Sequence, residues 1–285
     1  MPSLIDIRRR IRSVKNMQQI TKAMKMVSAA KLRRAQERAI ASRPYAKMLS
    51  RMLSHVAAAA ATMDETSELP LLAVREEKKI QLILVSSDSG LAGGFNSNLF
   101  RTVRKFMGEH EGAEIGIEVI GRKGRDYFRR QGSNITGYHQ GIVDKPKYEE
   151  AAAIAQAVSE RYVKGEIDAL YLAVNEFKNV MAPEISLRRI LPIELPESEE
   201  QRDYIFEESP VELLGKLLPL YVELQVFRAL LESNSAYNAA RMTAMDAASS
   251  NAADVIETLT LNMNRVRQAS ITREIIEIVS GAAAL

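Results

Sequence analysis

From Leu4 onward, apolar side chains recur at three- and four-residue steps: Leu4, Ile7, Ile11, Val14, Met17, Ile20, Met24 and Val27. That period marks one face of an amphipathic helix with a narrow apolar seam. No Gly or Pro interrupts it before Pro44, and it resumes at Met48, Met52 and Val56 before fading in the run Ala57 to Ala61. The spacing predicts one helix over 4–61, about 85 Å long. Ser3 is its N-cap, with Asp6 in the first turn, and Pro44 is expected to kink it. A second long pattern fills the other end, from Val211 to Leu285. Gly215 and Pro219 lie near its start, and Met242, Met245, Ala252, Ile256, Leu259, Met263 and Val266 mark one face, which shifts to Ile271, Ile275 and Ile278. At 1.5 Å per residue it is roughly 110 Å long. Both helices are rooted in the segment between them, so they can pair only antiparallel. The pairing is expected to set the seam near Ile20 against that near Met263, with the longer C-terminal helix projecting past Met1 by roughly 25 Å.

The middle of the chain has another rhythm. Ile80 to Ser86 (IQLILVS) is a short, mostly apolar run, the pattern of a buried strand. Asn96 to Glu109 reads as a helix, Ile115 to Ile120 as a strand, Arg122 to Arg130 and Tyr148 to Val163 as helices, and Ala169 to Val174 as a strand. Strands alternating with helices imply a parallel sheet with right-handed crossovers. Asn175 to Ile193 adds a strand or hairpin, Pro196 to Arg202 is an acidic connector, and Tyr204 to Phe206 precede the last helix. The expected fold class is therefore α/β with long helices: an antiparallel coiled coil over 1–62 and 209–285, and a central Rossmann-like α/β domain over 63–208.

Composition narrows the function. Cys is absent, which excludes disulfides, thiolate metal sites and Cys nucleophiles, and 46% of residues are apolar, ample for a packed core. No stretch approaches the 18 or so apolar residues of a membrane span, so the reading is a soluble protein on the cytoplasmic side. The net charge of +3 conceals an asymmetry: residues 1–60 hold 14 Lys or Arg and only 2 acids. Arg8, Arg9, Arg10, Arg12, Lys15, Lys22, Lys25, Lys31, Arg33, Arg34 and Arg38 cover every face but the seam, which calls for an acidic partner. Nucleic acid would suit the charge, yet no aromatic for base stacking precedes Tyr45. An acidic protein surface outweighs it.

Enzymatic signals are weak. SDSGLAGGFNSN, Ser87 to Asn98, is a Gly-rich strand-to-helix turn at the place where dinucleotide folds cradle a pyrophosphate. Its glycines, Gly90, Gly93 and Gly94, match neither phosphate-loop spacing, and no Lys follows. A structural turn is the better reading. His55, His110 and His139 are far apart, which disfavours a metal site. Ser86, Ser87 and Ser89 lack a nucleophile elbow, and Asp88 has no evident His partner. Ala236 to Ala253 is rich in Ala, with Met242 and Met245 among its few large residues, so it packs closely on something slim. The terminal IVSGAAAL is uncharged, as if made for a socket in another protein.

Four blocks carry a resemblance that covers essentially the whole chain. ITREIIEIVSGAAA, Ile271 to Ala284, resembles the signature [IV]-T-x-E-x-x-[DE]-x-x-x-G-A-x-[SAKR], with Thr272, Glu274, Glu277, Gly281 and Ala282 in register. ITKAMKMVSAAKL from Ile20, the SDSGLAGGFNSN turn and ARMTAMDAASSNA from Ala240 are similar to further blocks of the same family, the gamma subunit of the bacterial F-type rotary ATP synthase. The resemblance implies a non-catalytic central shaft inside a ring of alpha and beta subunits. The α/β domain would contact epsilon and the membrane-embedded c-subunit ring at the cytoplasmic face of the cell membrane. It also implies that Met24, Lys25, Arg267, Gln268, Thr272 and Glu274 touch the alpha/beta ring, and that no nucleotide, metal or other cofactor is held. Two alternatives are a nucleotide-binding regulator using the Gly90–Gly94 turn and a nucleic-acid-binding basic coiled coil.

Overall fold

A computed structural model of the chain describes residues 3–61, 69–179, 184–194 and 208–283. Helix α1 runs over Leu4–Ala61 and continues through Pro44. It begins in a reciprocal cap: the Asp6 amide donates to Ser3 Oγ (3.2 Å) and the Ser3 amide to Asp6 Oδ2 (3.3 Å). Helix α5 spans Pro210–Ala283 with Pro219 inside it. Between them lie β1 (Lys79–Val85), α2 (Phe95–Glu109), β2 (Glu114–Ile120), α3 (Arg122–Arg130), β3 (Ile135–His139), α4 (Tyr148–Val163), β4 (Ala169–Glu176) and β5 (Glu184–Leu191). The chain divides into two compact units, Met1–Ala29 with Arg241–Leu285, and Ala30–Ala240. Tyr204 to Phe206 and Pro196 to Arg202 lie outside the described residues.

The first unit is a helical hairpin. Gln18 Nε2 donates to the Ser249 carbonyl (3.3 Å) and Lys25 Nζ meets Asp246 Oδ1 (2.6 Å), so numbers rise along one helix as they fall along the other. The antiparallel expectation holds, but its register does not. Ile20 lies level with the residues just before Ser249, and Met263 lies level with the start of α1. From this register the tip of α5 runs past the level of Leu4 by roughly 25 Å. Cys at Gln18 and Ser249 should therefore oxidise to a disulfide in the otherwise Cys-free chain, whereas a pair at Ile20 and Met263 should stay reduced. The reverse result on a non-reducing gel would refute the pairing.

The seam also departs from expectation. Ile7 is buried, but Met17 (57% exposed), Ile20 (50%) and Val27 (57%) face outward, and Thr21 and Ser28 are buried in their stead. Consecutive helical residues point 100° apart, so the inward row, with Ile7, Thr21 and Ser28 buried and Gln18 half-buried, and the outward row Met17, Ile20 and Val27 are adjacent faces. The facing row is Met245, Ser249 and Ala252. Ser249 and Ala252 are small and Met245 fills the space beside them, so slim side chains such as Thr21 and Ser28 complete the seam.

The second unit is built on a five-stranded sheet in the order β3-β2-β1-β4-β5, parallel except for β5, which is antiparallel to β4. Leu82, Leu84, Ile117 and Val119 pack against Leu99, Phe100 and Val103 of α2 and Phe128 of α3. On the other face Ile83, Val85, Leu172 and Val174 share one core with α4, with Leu49, Leu53 and Val56 of α1, and with Leu214 to Leu230 of α5. Strand β3 was not expected. It is an edge strand with no fully buried residue, so it lacks the apolar run that announces β1. Its Gly137 makes room for the Glu118 carboxylate, which pairs with His139 (2.7 Å) and accepts from Thr136 Oγ1 (3.2 Å).

Candidate functional site

In open α/β sheets the ligand crevice lies at the carboxyl ends of the strands, where the strand order reverses. Here that point is between β1 and β4, and the Gly-rich turn after β1 borders it. Leu91 (φ 63°) and Gly93 (φ 54°) are left-handed, giving the tight turn into α2. The groups that could hold a phosphate serve the chain itself. The Ser87 amide donates to Asn96 Oδ1 (3.1 Å), and Asn96 Nδ2 donates to Ser87 Oγ (2.8 Å). Asp88 accepts from the amides of Arg122 and Gly141, both at 2.9 Å. Ser86 Oγ accepts from the Gly124 amide (2.9 Å) and donates to the Ile120 carbonyl (2.9 Å).

The crevice itself is filled by α5. The Tyr237 ring stands edge-on to Phe95, centroids 5.5 Å apart, and its hydroxyl reaches the Gly90 carbonyl at 3.4 Å. Ala92 and Ala236 complete the buried cluster, and Phe177 and Ala240 pack on it. Asn175 Nδ2, at the end of β4, donates to the Phe95 carbonyl (3.3 Å). On its β4 side the turn is thus a socket for a helix, and the crevice at the strand-order reversal is closed to a nucleotide. An open groove of about 800 Å³ runs on the other side of the turn, from Gly93, Asn96 and Ser97 along α2 to Phe100, Arg101, Arg104 and Lys105, with Tyr127 opposite. It contains no nucleophile paired with a base. Among the described residues no cluster of three or more His, Asp or Glu could hold a metal ion. His110 Nδ1 lies 2.9 Å from the Phe106 carbonyl, and His139 belongs to the Glu118 pair.

What the hairpin unit offers is surface. Arg8, Arg9, Arg10, Arg12, Lys15 and Lys22 are exposed beside the outward row Met17, Ile20 and Val27. Residues 271–280 are exposed throughout, among them Ile271, Ile275, Ile276, Ile278 and Val279. Such contiguous apolar exposure marks an interaction surface. The six sequence-predicted contact residues fall into two groups. Met24 and Lys25 are half-buried in mid-hairpin, and Lys25 is held by Asp246. Arg267, Gln268, Thr272 and Glu274 are exposed toward the tip, where Thr272 Oγ1 donates to the Gln268 carbonyl (3.0 Å) and Glu274 accepts from Ser270 Oγ (3.3 Å). Both Lys25 and Asp246 are substantially solvated, so Lys25→Ala should cost the hairpin only about 0–1 kcal/mol. A thermal melt in low and high salt would reveal a larger role. Neither Asp246 nor Tyr237 was singled out from the sequence, although Tyr237 is the one aromatic in its Ala-rich segment.

Comparison with known proteins agrees along the whole chain. A family model described as ATP synthase matches residues 3–285. The ATP synthase gamma chain of Solibacter usitatus is 60% identical over 284 residues, spanning 100% of this chain and 99% of the relative. That of Pelotomaculum thermopropionicum is 49% identical over 288 residues, covering 100% of both. Among solved structures, a chain of the central stalk and c-ring of the Tetrahymena thermophila mitochondrial ATP synthase matches with a TM-score of 0.64 and 26% identity, over 81% of this chain and 99% of that one. A chain of the Euglena gracilis mitochondrial ATP synthase matches with a TM-score of 0.70, over 99% of this chain and 94% of that one; at 17% identity it shows the fold alone.

Proposed function

Because the chain belongs to the ATP synthase gamma family, we propose that its hairpin works as the central rotor shaft of the F-type enzyme, a non-catalytic subunit that couples ion flow through the membrane sector to ATP synthesis. The observation that carries this reading is the exposed apolar surface of the hairpin: the row Met17, Ile20, Val27 and the wholly exposed 271–280, flanked by cations. A ring of alpha and beta subunits closing around it would cover that surface, with acidic loops of beta against the basic side of α1. Met24 and Lys25 are the contact residues of mid-shaft, and Arg267, Gln268, Thr272 and Glu274 those of the tip. The shaft comprises 1–62 and 209–285, and 63–208 forms the domain that meets epsilon and the c-subunit ring. The complex sits at the cytoplasmic face of the cell membrane. Among the described residues no helix is long and apolar enough to cross it, so the attachment is peripheral.

The mechanism follows from asymmetry. A shaft with one apolar row and one basic side presents a different surface to each of three chemically identical sites. Each site therefore has its own affinity for nucleotide at any rotor angle. Ion movement supplies about 2.3 kcal/mol per charge per 100 mV, and turning the shaft carries every site in sequence through binding, bond formation and release. The chain makes and breaks no covalent bond. Reconstitution of the remaining subunits with and without this chain tests the assignment: ATP-driven proton pumping into vesicles should require it. Undiminished pumping in its absence would refute the rotor role.

A further inference from the structure

A shaft must not slip in its mount, and apolar packing alone is non-directional. Within the Ala30–Ala240 unit, α5 is held by directional contacts as well. Glu223, 5% exposed, accepts from the Tyr148 hydroxyl (2.7 Å) and from Gln156 Nε2 (2.8 Å), both on α4. Burial first, then the bond to Glu223, holds the Tyr148 phenol well above its ordinary pKa, so it remains a donor. Glu232 Oε2 accepts from the Phe177 amide at the end of β4 (3.3 Å). Asn234 Nδ2 donates to the Val143 carbonyl in the loop after β3. Tyr237 fills the crevice beside the Gly-rich turn. At 100° per residue Glu223, Asn234 and Tyr237 fall within about 60° of one another on the helix, and Glu232 falls on the opposite side.

We propose that this keyed stretch of α5, Glu223 to Tyr237, is the torque joint of the rotor, with Tyr237, seated where doubly wound sheets hold a ligand, as the positioning residue that stops the helix from turning in its mount. The proposal rests on the rotor reading above. Keys on both sides of the helix resist either sense of rotation, and they come from four separate segments of the α/β fold. Turning or sliding α5 by one residue would withdraw both donors from a buried carboxylate and drive the Tyr237 ring into the Gly-rich turn. Slippage is therefore opposed by desolvated polar groups as well as by shape. The turn keeps its tight, internally bonded geometry because it is the wall of that socket.

The test uses the assembled enzyme in proteoliposomes. Tyr237→Ala combined with Glu223→Leu should reduce proton transport per ATP hydrolysed at least fivefold, while hydrolysis stays within twofold of wild type and the chain remains at normal stoichiometry. Transport per ATP within twofold of wild type would overturn the joint. A second arm places Cys at Ala92 and Ala236, both buried in the Tyr237 cluster of a chain that has no Cys. A joint that transmits torque without moving keeps full pumping when this pair is oxidised, and in the Tyr237→Ala, Glu223→Leu background the crosslink should restore it. Loss of pumping on oxidation of the otherwise wild-type chain would show that turn and helix must move past each other, which refutes the proposal. Enzyme lacking the chain separates the two readings: if it still pumps, the rotor role fails, and if only the joint variants pump normally, the joint fails.

Discussion

Gly121→Ala should destabilise the sheet-bearing unit by about 4 kcal/mol, from strain and overpacking together. Gly121 follows β2 at φ 98° and ψ 139°, a region that side-chain-bearing residues rarely adopt. A Cβ there would land on the Ser86 carbonyl and hydroxyl. Neither side can retreat. The Gly121 amide is bonded to the His139 carbonyl (2.8 Å), the Ser86 amide to the Ile120 carbonyl (2.8 Å), and Ser86 Oγ to the start of α3. For a unit of this size the cost corresponds to a fall of roughly 10 °C in melting temperature. Gly108, inside α2 with open space where its Cβ would be, is the control; alanine there should stabilise by about 0.5–1 kcal/mol. Two melts within a degree or two of each other would show that the Ser86–Gly121 crossing is not tight. Gly93 and Gly94, the glycines that sequence reasoning singled out, differ from each other. Gly93 needs its positive φ, whereas a Cβ at Gly94 meets only the amide end of Asn98.

Most of the architecture was legible because each element is locally consistent. β1 is an apolar run broken only by Gln81 and is buried from Ile80 onward, and α3 and α4 begin and end where their patterns do. Where one residue type could serve two environments, the reading failed. Met17, Ile20 and Val27 continue a faultless apolar period, and periodicity alone cannot say whether an apolar face meets its own hairpin or another subunit. The partner face decides it, since Thr21 and Ser28 complete the seam beside Met245, Ser249 and Ala252 and the larger side chains point outward. The pairing register was illegible for a related reason: along a helix of small residues one heptad packs much like the next. Only specific polar contacts, Gln18 to Ser249 and Lys25 to Asp246, distinguish them. Tyr237 was hidden differently. Its meaning depends on the turn at Gly90 to Phe95, more than a hundred residues away in the chain, and no local pattern joins the two.

Met24→Lys should leave ATP hydrolysis by the assembled enzyme within twofold of wild type while cutting proton pumping per ATP severalfold. Met24 is half-buried between the hairpin seam and the outward row, next to Lys25, whose charge is already held by Asp246. A second long cation there finds Asp246 taken and is left to reach for acids on the surrounding ring. On the rotor reading proposed above, any such acids come within reach at some rotor angles and not at others, so the new contact digs a well at particular angles. A half-buried, charge-assisted bond contributes about 1.5–3 kcal/mol, enough to lengthen one rotor dwell tenfold or more. While the shaft lags, the catalytic sites, none of which has been altered, can turn over without it, and each such turnover consumes ATP and moves no ions. Met24→Leu keeps size and loses no coupling on this account. Asp246→Asn in the Met24→Lys background releases Lys25 as well and should deepen the defect. Parallel loss of hydrolysis and pumping, together with a lowered melting temperature of the isolated chain, would instead show that Met24 serves to hold the hairpin closed and that the mid-shaft contact face lies elsewhere.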